Sequence, residues 1–200
     1  MADLIKPLIL GLALAFGSAA WAQTEQPAAE GAADGLSLGD EVADPDAPGT
    51  TYVPETFGDW EMRCVRAKEG NDPCQLYQLL KDEKGNSVAE ISVFGLKDGG
   101  KASAGATIIT PLETLLTPAV TIQVDNAKAK RYPFTFCTGI GCFSRIGFTA
   151  AEVTSFKRGN AALMQIVPAG APDQRVNLAI SLTGFTAGYD AVNAANGVSQ

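Results

Sequence analysis

Apolar and polar residues alternate with a period of two in several segments beyond residue 53. In Trp60–Cys64 the first, third and fifth residues are apolar, and the two residues between them are charged. Val120–Val124 and Val176–Leu182 repeat this alternation. Such a pattern is typical of β-strands that turn one face to a core and the other face to water. We therefore expect a domain built mainly from half-buried strands.

Shorter segments extend this set of predicted strands. Gln75–Lys81 and Val88–Leu96 flank the polar segment Asp82–Asn86, whose glycine and asparagine favour left-handed backbone, so together they predict a hairpin. The other strand candidates are Gly105–Thr110, Phe134–Cys137, Phe143–Phe148 and Leu163–Val167. Short antiparallel strands at this spacing favour a sandwich or a partly closed barrel.

One segment has the pattern of a helix. Thr149 stands three residues before Glu152, which is the spacing of a capping box, and Gly159 follows a basic pair. These signals predict a helix over Ala150–Arg158. The expected fold class is mostly β: a single antiparallel β-sandwich or partly closed barrel with one short helix.

The first 22 residues have the organisation of a secretory signal peptide. Lys6 gives the start a positive charge, an apolar run spans Leu8–Gly17, and Ala20 and Ala22 form a small-x-small cleavage site. An N-terminal membrane anchor is the alternative, but a spanning helix needs roughly 20 apolar residues. No cysteine follows the cleavage point, which argues against lipid attachment there. We expect a mature protein that begins at Gln23 and does not span the membrane.

Charge is distributed unevenly along the expected mature chain. Residues 23–53 hold seven acidic residues and no Lys or Arg. Such a segment cannot bury enough apolar surface to offset its ordering entropy, so we expect an acidic disordered tether, either a spacer or an acidic docking tail. The expected domain, residues 54–200, has 14 acidic and 14 basic residues. Its net charge of zero gives no field that would attract nucleic acid or anionic lipid.

Four cysteines, Cys64, Cys74, Cys137 and Cys142, lie in the expected domain. An even number of cysteines in an oxidising compartment argues for two disulfides, and the sequence permits three pairings. We favour the local pairing of Cys64 with Cys74 and of Cys137 with Cys142, because polar or glycine-containing segments between them let the chain turn back. Redox-active pairs use Cys-x-x-Cys spacing and zinc sites need close clusters of reduced thiols, and the four cysteines fit neither pattern.

The sequence contains no histidine, which removes the most common general base and metal ligand. Three carboxylates, Asp59, Glu61 and Glu90, lie on or beside predicted strands and are the candidates for an acid–base pair. We expect Glu61 and Glu90 to point to the solvated face, where charged groups are normal. Ser144 and Ser181 lack a histidine partner. The sequence therefore predicts no catalytic residue, no metal site and no cofactor.

A basic segment and a set of aromatic residues remain as candidate binding groups. Lys128, Lys130, Arg131 and Tyr132 belong to the one dense basic patch of the sequence. This patch is either a solvated hairpin loop or a contact for an anion or a glycan. Six aromatic residues are expected in the core rather than on a ligand platform: Trp60, Phe134, Phe136, Phe143, Phe148 and Phe185.

Several motifs, taken in order, resemble a known family. They are Phe57-Gly58-Asp59-Trp60, Cys64, Cys74 before a glutamine-containing strand, Pro133-Phe134-x-x-Cys137-x-x-x-Gly141-Cys142, and Ile180-Ser181-Leu182-x-Gly184-Phe185. With this set, from about Phe57 to about Val192, the chain resembles the invasion-associated locus B family of alphaproteobacterial exported proteins. One departure is Pro111-Leu112-Glu113, where the family pattern would have a glycine at the third position. Glutamate tolerates positive φ poorly, so the backbone of this loop is in question.

The resemblance implies a periplasmic β-sandwich with two short-range disulfides, associated with the outer membrane or secreted in some cases. The family is named after host-cell entry, which is a phenotype and not a molecular mechanism. Our hypothesis is a non-enzymatic exported domain that binds a protein or another envelope or host-surface component. The alternatives are a carboxylate-dependent hydrolase and a carrier of a small apolar ligand. An exposed apolar patch would favour partner binding, and a deep polar pocket would favour catalysis.

Overall fold

The structure is a computed structural model that describes residues 39, 42, 44–97 and 100–198. The predicted signal peptide, residues 1–22, and most of the predicted tether, residues 23–53, lie outside the described residues. Within the described ranges, neither helix combines the length and the apolarity that a membrane crossing requires.

The described residues form eleven strands and two helices. The strands are β1 (Thr51–Phe57), β2 (Trp60–Val65), β3 (Cys74–Lys81), β4 (Ser87–Gly95), β5 (Ala104–Thr110), β6 (Val120–Val124), β7 (Lys130–Tyr132), β8 (Phe136–Thr138), β9 (Gly141–Phe148), β10 (Ala162–Ile166) and β11 (Val176–Ile180). The helices are α1 (Ala150–Arg158) and α2 (Phe185–Ala195).

The strands form two antiparallel sheets. Seven strands follow the order β1-β2-β3-β4-β5-β9-β8, and four follow the order β11-β10-β6-β7. One cluster of buried side chains contains residues from both sheets and both helices. Because neither sheet closes on itself, the architecture is a β-sandwich and not a barrel. The predicted fold class is confirmed.

The alternation read from the sequence places the core as expected. Trp60, Met62 and Cys64 are buried in β2, while the charged residues between them are only half-buried. The segment Asp82–Asn86 closes the predicted β3–β4 hairpin, in which the N–H group of Asp82 donates to the carbonyl of Asn86 at 2.9 Å. In β2, the two-residue period therefore correctly predicts which side chains face the core.

Aromatic rings join the helices to the sheets. The ring of Phe156 in α1 lies 5.2 Å from Phe148 in β9 and 5.3 Å from Phe185 in α2. Phe185 in turn makes an edge contact with Trp60 in β2, with 5.3 Å between ring centroids. Aromatic pairs at these distances add stability beyond the area they bury. The rings thus form a continuous path through the core from β2 through α2 and α1 to β9.

Helix α1 is confirmed with its predicted bounds. The side chain of Thr149 accepts a hydrogen bond from the N–H group of Glu152, and Glu152 reaches back to the N–H group of Thr149. This reciprocal pair is the capping box that the spacing predicted. The last turn carries Lys157 and Arg158, which suit the negative end of the helix dipole.

Helix α2 is a correction, because the sequence analysis predicts one helix and extends the last strand to Leu182. Gly184 precedes α2 with a positive φ of 86° and makes no side-chain cap, and neither end of the helix carries a favourable charge. The usual start signals are therefore missing, whereas Asn196 and Gly197, which has a φ of 62°, form a stop signal that the sequence analysis did not use. What remains is the helical spacing of its buried residues, Phe185, Gly188, Tyr189, Val192 and Asn193.

Two further strands were not predicted. β1 begins at Thr51, three residues before the expected start of the domain at Pro54. β7 covers Lys130–Tyr132, a segment that the sequence analysis assigns to a hairpin turn. The turn itself lies earlier, where the N–H group of Ala127 donates to the carbonyl of Val124 at 2.9 Å. Both strands are at sheet edges, where one side of the strand stays unpaired and the sequence pattern is weakest.

The Pro111-Leu112-Glu113 loop does not need left-handed backbone. Positive φ values among the described non-glycine residues occur at Ala119, with 62°, and at Asp125, with 45°. Glu113 is not one of them, so its departure from the family pattern is accommodated without backbone strain.

Both disulfides join residues that face each other across neighbouring strands. Cys64 in β2 pairs with Cys74 in β3, and Cys137 in β8 pairs with Cys142 in β9. These are the local pairs that the sequence analysis favours. A slip of one residue would turn a cysteine to the opposite face of the sheet, so each disulfide also fixes the register of its strand pair.

Candidate functional site

One row of residues crosses the outer face of the seven-stranded sheet from β3 to β8. Strand pairing sets Leu79 beside Glu90, Glu90 beside Ile109, Ile109 beside Phe143, and Phe143 beside Phe136. Their neighbours along each of the four longer strands point into the core, so this row faces away from it. The row is apolar from Ile109 to Phe136.

The apolar end of this row, together with the turn of the β8–β9 hairpin, forms what we call the hairpin patch: Ile109, Phe136, Ile140 and Phe143. Ile140, in the turn, is 79% exposed, and Phe136 is 43% exposed. The rings of Phe136 and Phe143 stack with 4.8 Å between their centroids. The guanidinium of Arg145 lies 5.8 Å from the ring of Phe136 and gives the patch a cationic border. This end of the outer face is therefore apolar, with two exposed and two half-buried side chains.

The prediction that all six aromatic residues belong to the core is wrong for Phe136. Its strand has only three residues, and pairing with Phe143 puts it on the outer face of the sheet. The alternation rule needs a longer strand than this to show which face is buried. Three of the six residues are buried and two are half-buried: Trp60, Phe148 and Phe185, then Phe134 and Phe143.

A polar groove of about 710 Å³ lies at the other end of the same sheet. β2, β3, the β3–β4 turn and the end of β11 line it, and Asp59 and Glu61 are among its carboxylates. Asp59 accepts a hydrogen bond from the Oγ of Ser181 at 2.6 Å, and Glu61 forms an ion pair with Arg63 at 2.8 Å. Both carboxylates are thus held by neighbouring side chains.

The third predicted carboxylate, Glu90, belongs to a neighbouring polar cluster and does not line the groove. It accepts a hydrogen bond from the hydroxyl of Tyr77 at 2.7 Å, and the guanidinium of Arg63 lies 3.2 Å from the centre of the Tyr77 ring. Burial and the adjacent Glu90 raise the pKa of Tyr77 to about 12. This cluster is a closed set of partners, which suits a structural role.

Gln78 is a polar residue of this region that the sequence analysis did not single out. It is buried in β3, and its side-chain amide accepts from the N–H group of Ser181 at 2.9 Å and donates to the carbonyl of Ser181 at 3.2 Å. These are the two bonds that a neighbouring strand would make. Gln78 thereby connects β3 to the chain just after β11. A glutamine at a core-facing position, between Leu76 and Leu80, was the signal that pointed to it.

The structure divides the predicted basic patch. Lys130 and Tyr132 turn toward α1, where Lys130 forms an ion pair with Glu152 at 2.8 Å and the Tyr132 hydroxyl donates to Glu152 at 2.6 Å. Arg131, between them in β7, points the other way and is exposed. Lys128 lies in the preceding loop and is exposed as well.

Glu152 is the centre of this cluster. Burial alone would raise the pKa of this carboxyl, but hydrogen bonds from Lys130, Tyr132 and Thr149 outweigh burial and lower the pKa of Glu152 to about 2. Burial and the Glu152 carboxylate also raise the pKa of Tyr132. Lys128, Lys130 and Tyr132 line one cavity of about 300 Å³, and Arg131 does not. In the described ranges, no three metal-ligating side chains come together.

Comparison with known proteins identifies the family. The family described as Invasion associated locus B (IalB) protein matches residues 60–193. The chain belongs to this family. The match includes the hairpin patch and both disulfides of this IalB-family protein. No curated protein matches the chain.

A solved structure supports the fold assignment. The crystal structure of invasion associated protein B from Bartonella henselae is similar to this IalB-family chain, with a TM-score of 0.60. The two sequences are 24% identical, and the similarity covers 72% of this chain and 96% of that chain. At this identity the likeness shows a shared fold. Two disulfides and membership of the family indicate an exported protein.

Proposed function

We propose that this protein is a non-enzymatic exported domain that binds a protein of the bacterial envelope or of a host-cell surface through the hairpin patch. We place it in the periplasm, with outer-membrane association or secretion as the step that would bring it to a host. The observation that carries the proposal is the exposure of large apolar side chains on a hairpin closed by the Cys137–Cys142 disulfide.

The exposed side chains supply the free energy that binding needs. Ile140 is 79% exposed and Phe136 is 43% exposed, so most of the Ile140 surface and nearly half of the Phe136 surface is in water. Full burial of a side chain of this size against a partner contributes about 1.5–3 kcal/mol. Aromatic residues and arginine are enriched at the energetic centres of interfaces, and the patch has Phe136 with Arg145 beside it.

The hairpin is also held in one conformation before any partner arrives. The disulfide closes the turn, and Gly141, with a φ of 153°, packs so tightly on β5 that an added Cβ would lie 2.5 Å from the carbonyl oxygen of Thr110. Only glycine fits this approach. A surface that is already ordered loses less conformational entropy when it binds.

The alternative of a carboxylate-dependent hydrolase would use the polar groove. Asp59 and Glu61 line it, but a hydroxyl and a guanidinium already hold them, and Glu90, which does not line it, accepts a hydrogen bond from Tyr77. A hydrolase needs one carboxyl that donates a proton and another that stays ionised. The lack of any histidine also removes the most common substitute for such a proton donor. These features support the binding role over the catalytic one.

Site-specific photocrosslinking in cells of the source bacterium, and on host cells exposed to the protein, tests the proposal. A photoreactive phenylalanine analogue replaces Phe136 or Ile140, and Leu79 serves as the control position. Leu79 lies in the same row of the sheet and is 44% exposed, almost the same as Phe136. We expect a discrete adduct from Phe136 and Ile140 and none from Leu79.

Aspartate substitutions complete the test. Phe136→Asp and Ile140→Asp should remove the partner from affinity-purified complexes, and Leu79→Asp should retain it. Adducts of equal strength at all three positions, or none at the two hairpin positions, would contradict the proposal. Hydrolysis of an envelope polymer by the purified protein, lost with Asp59→Asn, would establish the enzyme instead.

A further inference from the structure

A second surface, formed by α1 and the β6–β7 hairpin, has different chemistry from the hairpin patch. A cavity of about 300 Å³ opens there, which is at the small end of the range for ligand sites. Six of its eleven lining residues are apolar or aromatic and come from strand, loop and helix alike: Ile122, Val124, Ala127, Tyr132, Ala151 and Phe156. The others are three charged residues and the hydroxyl-bearing Thr149 and Ser155. Ile122 and Phe156 are core residues, so the floor of the cavity is the edge of the hydrophobic core itself.

One side of the cavity is fixed by the Glu152 cluster. Glu152 binds Lys130 and Tyr132 of β7 and also caps α1 through Thr149, so helix and strand are connected at this point. The Lys130 and Glu152 charges cancel each other at 2.8 Å. The site therefore exists before a ligand enters, and these two lining residues contribute no net charge.

Lys128 supplies an unbalanced charge at the mouth of the cavity. Within the described part of the chain it makes no ion pair or hydrogen bond, and it is exposed. The nearest acidic residue along the loop, Asp125, does not line the cavity, and its carboxylate accepts hydrogen bonds from the N–H groups of Asn160 and Ala161 at 3.0–3.2 Å. The lining thus combines an apolar interior with a net charge of one cation.

We propose that this cavity binds a small amphipathic acid, with a short aliphatic chain against the apolar lining and a carboxylate paired with Lys128. Cavities that bind small molecules are mostly apolar and use a few polar groups to orient the ligand, and this one has that division. The inference is independent of the proposed partner binding, because none of its residues belongs to the hairpin patch.

Isothermal titration calorimetry on the mature protein tests the site, with octanoate as the probe and hexanoate, octanol and octylamine as comparison ligands. Octanoate should bind, and affinity should fall about fourfold for each methylene removed from the chain. Octylamine is a cation that Lys128 would repel, so it should bind more weakly than octanol. Lys128→Ala should weaken octanoate by up to about fivefold and leave octanol unchanged.

Two matched pairs of variants distinguish octanoate binding in the cavity from nonspecific surfactant binding elsewhere on the protein. Ala151 lines the cavity on the exposed side of α1, whereas Ala150 precedes it and does not line the cavity. Ala151→Phe should abolish octanoate binding, and Ala150→Phe should retain it. Lys128→Glu should weaken octanoate more than Lys128→Ala does, and Lys84→Glu, in the β3–β4 turn, should have no effect.

Circular dichroism of each variant shows whether the fold is retained. Should Ala151→Phe fail to fold, the surface variants of Lys128 still decide the question, because an exposed lysine is not needed for folding. Octanoate binding that survives both Ala151→Phe and Lys128→Glu would overturn the proposal, as would octylamine binding as tight as that of octanoate. The absence of binding by every probe would overturn it as well.

Discussion

The two ends of the seven-stranded sheet present opposite kinds of surface on the same face. At the β2–β3 end the polar groups form a closed set, in which Arg63 contacts Glu61 and the ring of Tyr77. At the β8–β9 end Phe136 and Ile140 stand exposed. Both ends carry a disulfide-linked hairpin. The comparison teaches that a disulfide-linked hairpin can be part of the core at one end and can hold exposed apolar side chains, which we propose to be a binding surface, at the other.

Burial of the cysteines follows the same division. Cys64 and Cys74 are 1% and 7% exposed, so their disulfide is part of the core. Cys142 is buried as well, but Cys137 lies on the exposed hairpin. We expect the free energy of unfolding to depend on the first end and partner binding to depend on the second.

Removal of the disulfides should give the largest effects. Replacing Cys64 and Cys74 by alanine should lower the free energy of unfolding by about 3–4 kcal/mol, since chain entropy and core packing are both lost. The same change at Cys137 and Cys142 should cost about 2 kcal/mol, because the loop is shorter and only one cysteine is buried. Urea denaturation of the two double variants measures both values. Equal losses would break the proposed contrast between the ends.

The buried amide of Gln78 should give the next largest effect. Gln78→Leu keeps the volume but leaves the N–H group of Ser181 without its partner, while Trp60 still donates to the Ser181 carbonyl. The expected loss of unfolding free energy is about 1–3 kcal/mol. Gln75→Leu, at a half-buried outer position of the same strand, is the control and should stay within about 0.5 kcal/mol. A neutral Gln78→Leu would show that the connection to Ser181 contributes little.

The Tyr77 cluster should affect the free energy of unfolding at alkaline pH. Burial and Glu90 raise the pKa of Tyr77 from its usual 10.0 to about 12, so the folded state holds this proton more tightly than the unfolded chain does. The resulting stability is present below about pH 10 and is lost as pH rises toward 12. Unfolding free energies from pH 9 to 12 should fall less steeply for Tyr77→Phe. An identical slope for the variant would show that the folded state does not hold the Tyr77 proton more tightly than the unfolded chain does.

The smallest effect on stability should come from the tip of the other hairpin. Ile140→Ser should change the free energy of unfolding by no more than about 0.5 kcal/mol, because the side chain is 79% exposed. The same variant should also lose the partner from affinity-purified complexes. A loss of stability above 1 kcal/mol would mean that Ile140 packs against the chain and is not presented to a partner.

Much of the fold was predictable because its strongest signals are local. The alternation around Trp60 and the capping box of Thr149 and Glu152 each specify an element from adjacent residues. Helix α2 offered no such signal at its start or within it, since Gly184 precedes it and Gly188 lies inside it. Gly188 is there because α2 packs closely on β3, where an added Cβ would lie 2.5 Å from the side chain of Leu76. Contacts of this kind are tertiary and leave little trace in a local pattern.

The candidate sites were harder to predict for the same reason. The sequence grouped Lys128, Lys130, Arg131 and Tyr132 by proximity, but the pleat of β7 sends Arg131 to the opposite side from its neighbours. The partner that organises them, Glu152, comes 20 residues after Tyr132. The exposure of Phe136 likewise depends on its pairing with Phe143. The sequence showed which side chains were present, and the pairing between strands decided which of them come together.

The pairing of both disulfides between adjacent strands has a consequence for how the protein matures after export. The two cysteines of each pair are separated by 10 and by 5 positions along the chain, so each bond can form as soon as its own hairpin does. Oxidation requires no assembled sandwich and no long-range search among thiols. A dithiol oxidase alone should then complete both bonds, and a strain without a disulfide isomerase should export the protein at normal yield.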